Sequence, residues 1–139
     1  MSVYNVPTSL RKSVKAGAAI AKWEPVKLTT EDTENEGIVV IKTSATTDVF
    51  IGIALNDATA AGQGIDIALP GAVVLMRAGG AITQGNDVGL SGTDKAEIAA
   101  LTLAAGGGTI RRIIGTALRT GVENDLIPVL YSPFVFETA

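Results

Sequence analysis

The sequence predicts an all-β fold, one domain made of two tandem structural half-repeats with extended terminal arms. Three observations predict it. Between Val49 and Met76, short apolar runs alternate with turn residues, and Ile65, Ile67 and Leu69 alternate with Asp66 and Ala68 at the period of a half-buried strand. The chain then copies itself. AGAAIAKWEPVKL at Ala16–Leu28 matches AGGAITQGNDVGL at Ala78–Leu90, and FIGIAL at Phe50–Leu55 matches IIGTAL at Ile113–Leu118 at nearly the same displacement. IDIAL at Ile65–Leu69 likewise falls near LIPVL at Leu126–Leu130. Finally, the 16 glycines are scattered, as in a chain with many turns. Two copies are too few for a solenoid, so the halves are expected to pack on each other.

The elements follow in order. Residues 1–15 show no sustained period and are expected to form an extended N-terminal arm with room for one short strand. A single β domain then spans residues 16–131, with half-repeats 16–69 and 78–130. Ala16–Leu28 reads as a turn and a strand, with Pro25 at a strand start or edge. Trp23, the one tryptophan, is expected to cover an end of the core. Thr29–Gly37 is a polar acidic loop. Glu31, Asp32, Glu34 and Glu36 lack the alternating oxygen-ligand spacing of a calcium loop, so a solvated turn is expected. Ile38–Lys42 is a β-branched strand leading to the central meander, where Asn56–Gly64 supplies turn chemistry.

In the second half, Gln84-Gly85-Asn86-Asp87 replaces Lys22-Trp23-Glu24-Pro25. Ala96–Ala105 carries good helix formers but is marginal in length as an isolated helix, and it reads as one short helix or, in preference, a strand ending at Gly106-Gly107-Gly108. That triple glycine lacks the lysine and hydroxyl of a phosphate loop and precedes a strand, so it is backbone punctuation. Ile110–Leu118 and Leu126–Tyr131 complete the half, and residues 132–139 form an apolar C-terminal tail. The shared apolar positions Ile51, Ile53, Leu55, Ile67, Ile114, Leu118 and Val129 are the expected core. Gly52 is expected to match Gly115, and Ile20 to match Ile82.

Composition excludes much chemistry. The chain has no cysteine, hence no disulfide, thiolate nucleophile or sulfur-ligated metal. It has no histidine, which removes the usual proton shuttle and the base of a nucleophilic triad. Nearly all of its acidic side chains sit in turns flanked by Gly, Thr or Asn. No enzyme and no cofactor or metal is expected. A net charge of −3 argues against nucleic acid as a partner. No stretch approaches the ~18 apolar residues of a membrane span, and a soluble, non-membrane protein is expected.

The order AGAAIAKWEPV, FIGIALNDATAAGQGIDIALPG, AGGAITQGNDV, IIGTAL and a late IPVLY resembles the tailed-bacteriophage capsid cement (decoration) family. The likeness covers Ala16 to Tyr131 and rests on structural glycines and apolar pairs. It implies a small β-barrel-like or tulip-like domain that binds the outer surface of an expanded capsid. Made in the host cytoplasm, such a protein joins the virion, bridges neighbouring major-capsid subunits and commonly forms a homotrimer.

The termini are the expected contacts. Val3, Tyr4, Val6 and Leu10 offer apolar anchors beside Arg11, Lys12 and Lys15, while Phe134 and Phe136 are expected to tuck under the core or fill a neighbour's groove. Deleting Ser2–Lys15 is expected to leave a folded domain that no longer decorates capsids. The alternative is a non-catalytic β module binding carbohydrate or a surface receptor, although that would show exposed aromatics and the chain has few.

Overall fold

The computed structural model describes residues 6–29, 37–91, 97–101 and 110–137, with the backbone alone at 110, 111 and 135–137. After a 3₁₀ turn at Thr8–Leu10 come ten strands. The first half holds β1 (Arg11–Ala16), β2 (Pro25–Leu28), β3 (Val39–Lys42), β4 (Phe50–Ala54) and β5 (Gly64–Ala68). The second holds β6 (Val73–Arg77), β7 (Asp87–Leu90), β8 (Ile98–Ala100), β9 (Ile110–Ala117) and β10 (Leu126–Glu137). No α-helix occurs among the described residues, as the sequence predicts.

β1 to β5 form a closed barrel in the order β1-β3-β2-β4-β5, and the second half forms a five-stranded sheet in the order β6-β10-β9-β7-β8. The wiring is the same. β1 pairs with β5 as β6 pairs with β10, and β2 lies between β3 and β4 as β7 lies between β8 and β9. The barrel closes through a parallel pairing that includes Ala16↔Val40. At the matching place a parallel bridge joins Ala78 to Ile98. Closure removes the unpaired strand edges that invite aggregation.

The turns match as closely as the strands. Ile20 bridges to Ala58 as Ile82 bridges to Gly121. The ladder slips after Val26 in β2 and after Val88 in β7. Gly52 stands opposite Val26 as Gly115 stands opposite Val88, so the expected glycine pair is equivalent. A Cβ on Gly52 would lie 2.9 Å from the Ala68 carbonyl oxygen, and one on Gly115 would overlap that of Leu130. Only glycine lets these backbones approach so closely.

One apolar cluster fills the first barrel with Val14, Ala16, Ile20, Val26, Val40, Ala54, Ala58, Ile65 and Ile67. Small and β-branched side chains suit so narrow an interior, which accounts for the scarcity of aromatics. Eight of their counterparts (Met76, Ala78, Ile82, Val88, Ile98, Ala117, Ile127 and Val129) belong to a second cluster. That cluster runs across the junction of the halves, where it takes in Val6, Phe50, Ile53 and Ala68 from the first half and Ala72 and Tyr131 beyond it. The Phe50 and Tyr131 rings meet there at 6.3 Å between centroids.

Several boundaries differ from the sequence reading. The expected arm contains β1, whose buried Val14 lines the barrel, so Arg11–Lys15 belongs to the domain. Arg11, Lys12, Ser13 and Lys15, four of its six residues, carry charge or hydroxyl, and they mask its period. Deleting residues 2–15 would therefore open the barrel. At the other end, β10 runs on past Tyr131 through a bulge to Glu137, so residues 132–137 are strand and not a loose tail. Of the expected core, Ile53, Ile67, Ile114 and Val129 are buried, whereas Ile51 and Leu55 are half-buried and Leu118 is exposed. Leu118 lies just past β9 and faces outward there.

Candidate functional site

The turns that carry the acidic residues explain what those residues do. Glu24 Oε1 accepts the Ala21 amide at 2.6 Å, and Asp57 Oδ1 accepts the Lys22 amide at 2.7 Å. In the second half Asn86 Oδ1 accepts the Thr83 amide and Thr120 Oγ1 accepts the Gln84 amide, each at 2.9 Å. Gln63 and Asp125 likewise accept from Thr59 and Val122. Asp48 receives the Ser44 and Ala45 amides and an ion pair from Lys27 at 3.0 Å. Burial pushes its carboxyl up, but those amides and the ammonium together outweigh burial and leave it below the ordinary value. These carboxylates are backbone acceptors, and the described residues hold no group of three or more metal-ligating side chains.

The expected contact residues divide. Val6 is buried at the junction and Leu10 packs against the same cluster, so both anchors are used inside the domain. Arg11 and Lys15 share the outward face of β1, and Lys12 is exposed on the strand's other parity. Arg11 reaches Asp66 at 4.0 Å and donates to Thr8 Oγ1, while Ser13 Oγ donates to Asp66 at 2.8 Å. Such exposed pairs contribute at most about 1 kcal/mol each. Phe134 is 42% exposed and lines a shallow cleft of ≈ 280 Å³ with Phe50, Arg112 and Pro133. Phe136 pairs by its backbone with Arg111, and its side chain lies outside the described residues, as do Val3 and Tyr4.

A second cleft, of ≈ 270 Å³, lies between the halves and is lined by Lys22, Trp23, Glu24, Arg77, Glu97 and Leu126, among others. Trp23 sits at φ 72° and packs partly against the junction cluster, which is the core-capping role its sequence position predicts. The Lys22 ammonium lies 4.9 Å from the Trp23 ring centroid and occupies part of its face.

The face that sequence reasoning missed is the outside of β6, β10 and β9. Val73 stands beside Leu130, Leu75 beside Pro128 and Arg77 beside Leu126. On the other side Leu130 meets Thr116, and the Leu118 amide donates to the Pro128 carbonyl. Leu118, Leu126 and Leu130 are 41%, 41% and 37% exposed. In the sequence these strands read as core because both parities are apolar; comparison with the polar twin positions in β1 and β5 is the signal that separates the faces.

No protein-family model and no curated protein sequence matches this chain. Among solved structures, the chain is similar to the N base of the head fiber gp8.5 in bacteriophage phi29. The TM-score is 0.61 at 16% identity, over 88% of this chain and 93% of that one, a likeness of fold.

Proposed function

We propose that this chain is a non-enzymatic structural protein of a tailed-phage virion, binding the outer surface of the head and bridging neighbouring major-capsid subunits to stabilise the expanded shell. The observation that carries the reading is the shared architecture with the phi29 head fiber base, which extends over nearly the whole of both chains. The cement-family resemblance of Ala16–Tyr131 points the same way, and so do acidic side chains committed to turns. The partner is the major capsid protein, and the working unit is a homo-oligomer, a trimer by that resemblance. Nucleic acid and membrane have no part in it.

Arg11, Lys12 and Lys15 supply the capsid contact together with Phe134. Because Arg11–Ala16 is a barrel strand, these cations are held in place before binding. Little ordering entropy then opposes association. A standard interface buries about 1,600 Å². Several copies linked by symmetry multiply modest affinities where the geometry lets them engage together. Bridging of that kind raises the barrier to shell rupture without chemistry.

Co-sedimentation with purified expanded heads tests the proposal. The wild-type chain is expected to pellet with heads and to protect them from thermal rupture. Arg11→Glu/Lys12→Glu and Phe134→Ala are expected to remain in the supernatant with unchanged melting temperature, and added salt to weaken the wild type. A wild-type chain that never pellets with heads overturns the reading.

A further inference from the structure

We propose that the outward face of β6, β10 and β9 is the contact between copies of this chain, and that its occupant is a second copy. The proposal deepens the homo-oligomer named above by assigning its surface. It rests on the internal repeat and not on binding to heads.

The two halves give a built-in control for this face. Val73, Leu75 and Arg77 in β6 correspond to Arg11, Ser13 and Lys15 in β1, since β6 meets β10 in the register with which β1 meets β5. Leu126, Pro128 and Leu130 likewise correspond to Gly64, Asp66 and Ala68. The first half thus carries Arg11, Ser13, Lys15 and Asp66 in this row, with Ser13 and Arg11 tied to Asp66, while Ala68 at its end is buried at the junction. Equivalent strands therefore pair with Arg11, Ser13 and Asp66 where the second half has Val73, Leu75 and Pro128, and strand pairing alone does not require apolar side chains at those positions. Val73 and Leu75 in β6, Leu126 and Leu130 in β10 and Leu118 just past β9 make an apolar strip that Arg77 borders at one end. Exposed strips of this kind mark association sites.

The occupant follows from what covers the matching place in the first half. Ile53 pairs with Ala68, and Thr116 pairs with Leu130 at the equivalent rung. Ile53 and Ala68 are fully buried in the cluster that spans the junction, beneath the second half. Leu130, at the equivalent position, is 37% exposed among the described residues. The fold already solves the problem of covering that rung with another unit of the same kind, and a second copy supplies one. Head-to-tail contacts of this type close into rings when the rotation permits.

Sedimentation velocity of the wild-type chain without heads, together with Leu126→Lys and Leu118→Lys, tests the inference. At tens of micromolar the wild type is expected to sediment as a whole multiple of 14.2 kDa. Both lysine variants are expected at the single-chain mass with unchanged strand circular dichroism. Ser13→Lys, on the matching face of the first half, is expected to keep the wild-type mass. A monomeric wild type, or folded lysine variants that keep the wild-type mass, overturns the proposal.

Should the lysine variants fail to fold, Leu118→Cys with a polarity-sensitive fluorophore reads the same face, since the chain has no other cysteine. Emission that shifts to the blue with concentration supports burial between copies, and concentration-independent emission overturns it. A head-binding failure leaves these measurements unchanged, so the two readings fail separately.

Discussion

Trp23 and Gly85 occupy one and the same left-handed corner in two copies of a motif, at φ 72° and φ 91°. Their amides donate to equivalent carbonyls, those of Ala54 and Ala117. Glycine takes this conformation freely, whereas a side chain there costs about 1–2 kcal/mol. The tryptophan is retained because its ring packs against the junction cluster. Replacing it removes that packing in either variant, but only glycine also relieves the backbone. Trp23→Gly is expected to be about 1 kcal/mol more stable than Trp23→Ala in urea unfolding, the reverse of the usual order in regular structure. Equal stability would show that the corner is unstrained.

The paired glycines differ in what crowds them. At Gly52 a methyl group would press on the Ala68 carbonyl and on the movable end of Ile67, while at Gly115 it would meet the Leu130 backbone directly. Overpacking of this kind costs roughly 1–3 kcal/mol. Gly115→Ala is expected to lose more than Gly52→Ala in chemical denaturation, because a strand backbone yields less than a side-chain tip.

Ile53 and Leu118 look alike in the sequence and differ in the fold. Ile53 is fully buried at the junction, so Ile53→Ala is expected to cost about 2–5 kcal/mol. Leu118→Ala, on an outward face, is expected to cost well under 1 kcal/mol in the single chain. Thermal melts of the two at matched concentration check this.

Asp48 gives the fold an acid-side dependence. Its folded carboxyl lies below the ordinary value of 3.8, so its stabilisation is complete above that value and is lost as the pH falls through the folded one. Asp48→Asn is expected to lower stability at neutral pH by about 1–3 kcal/mol. It should also flatten the fall in melting temperature below pH ~4. A variant with the wild-type acid profile would show that Lys27, Ser44 and Ala45 hold nothing of consequence.

The repeat was legible because it is written in positions that tolerate little change. Ile20 and Ile82, or Gly52 and Gly115, sit where a barrel interior or a close backbone approach admits few residues. What escaped the sequence lies where residues answer to solvent. Arg11-Lys12-Ser13 hides a strand because its outward side chains are charged or polar, although RKSVKAG set against VVLMRAG at Val73–Gly79 places it. Leu126 and Leu130 hide an outer face because their strand is apolar on both sides. Pattern alone reports burial only when one face meets water.

Pairing of the first strand with the last in each half also sets an order of events during translation. β1 waits for β5, and the first barrel can shut as soon as Ala68 leaves the ribosome. Ile53 and Ala68 then stand open to solvent until the chain as far as Tyr131 has emerged, because the second half supplies their cover. Domains fold as units in the order they are made, and exposed apolar surface in the interval is a site of misassembly. The nascent first half is thus the stage at which this junction surface is most open to misassembly.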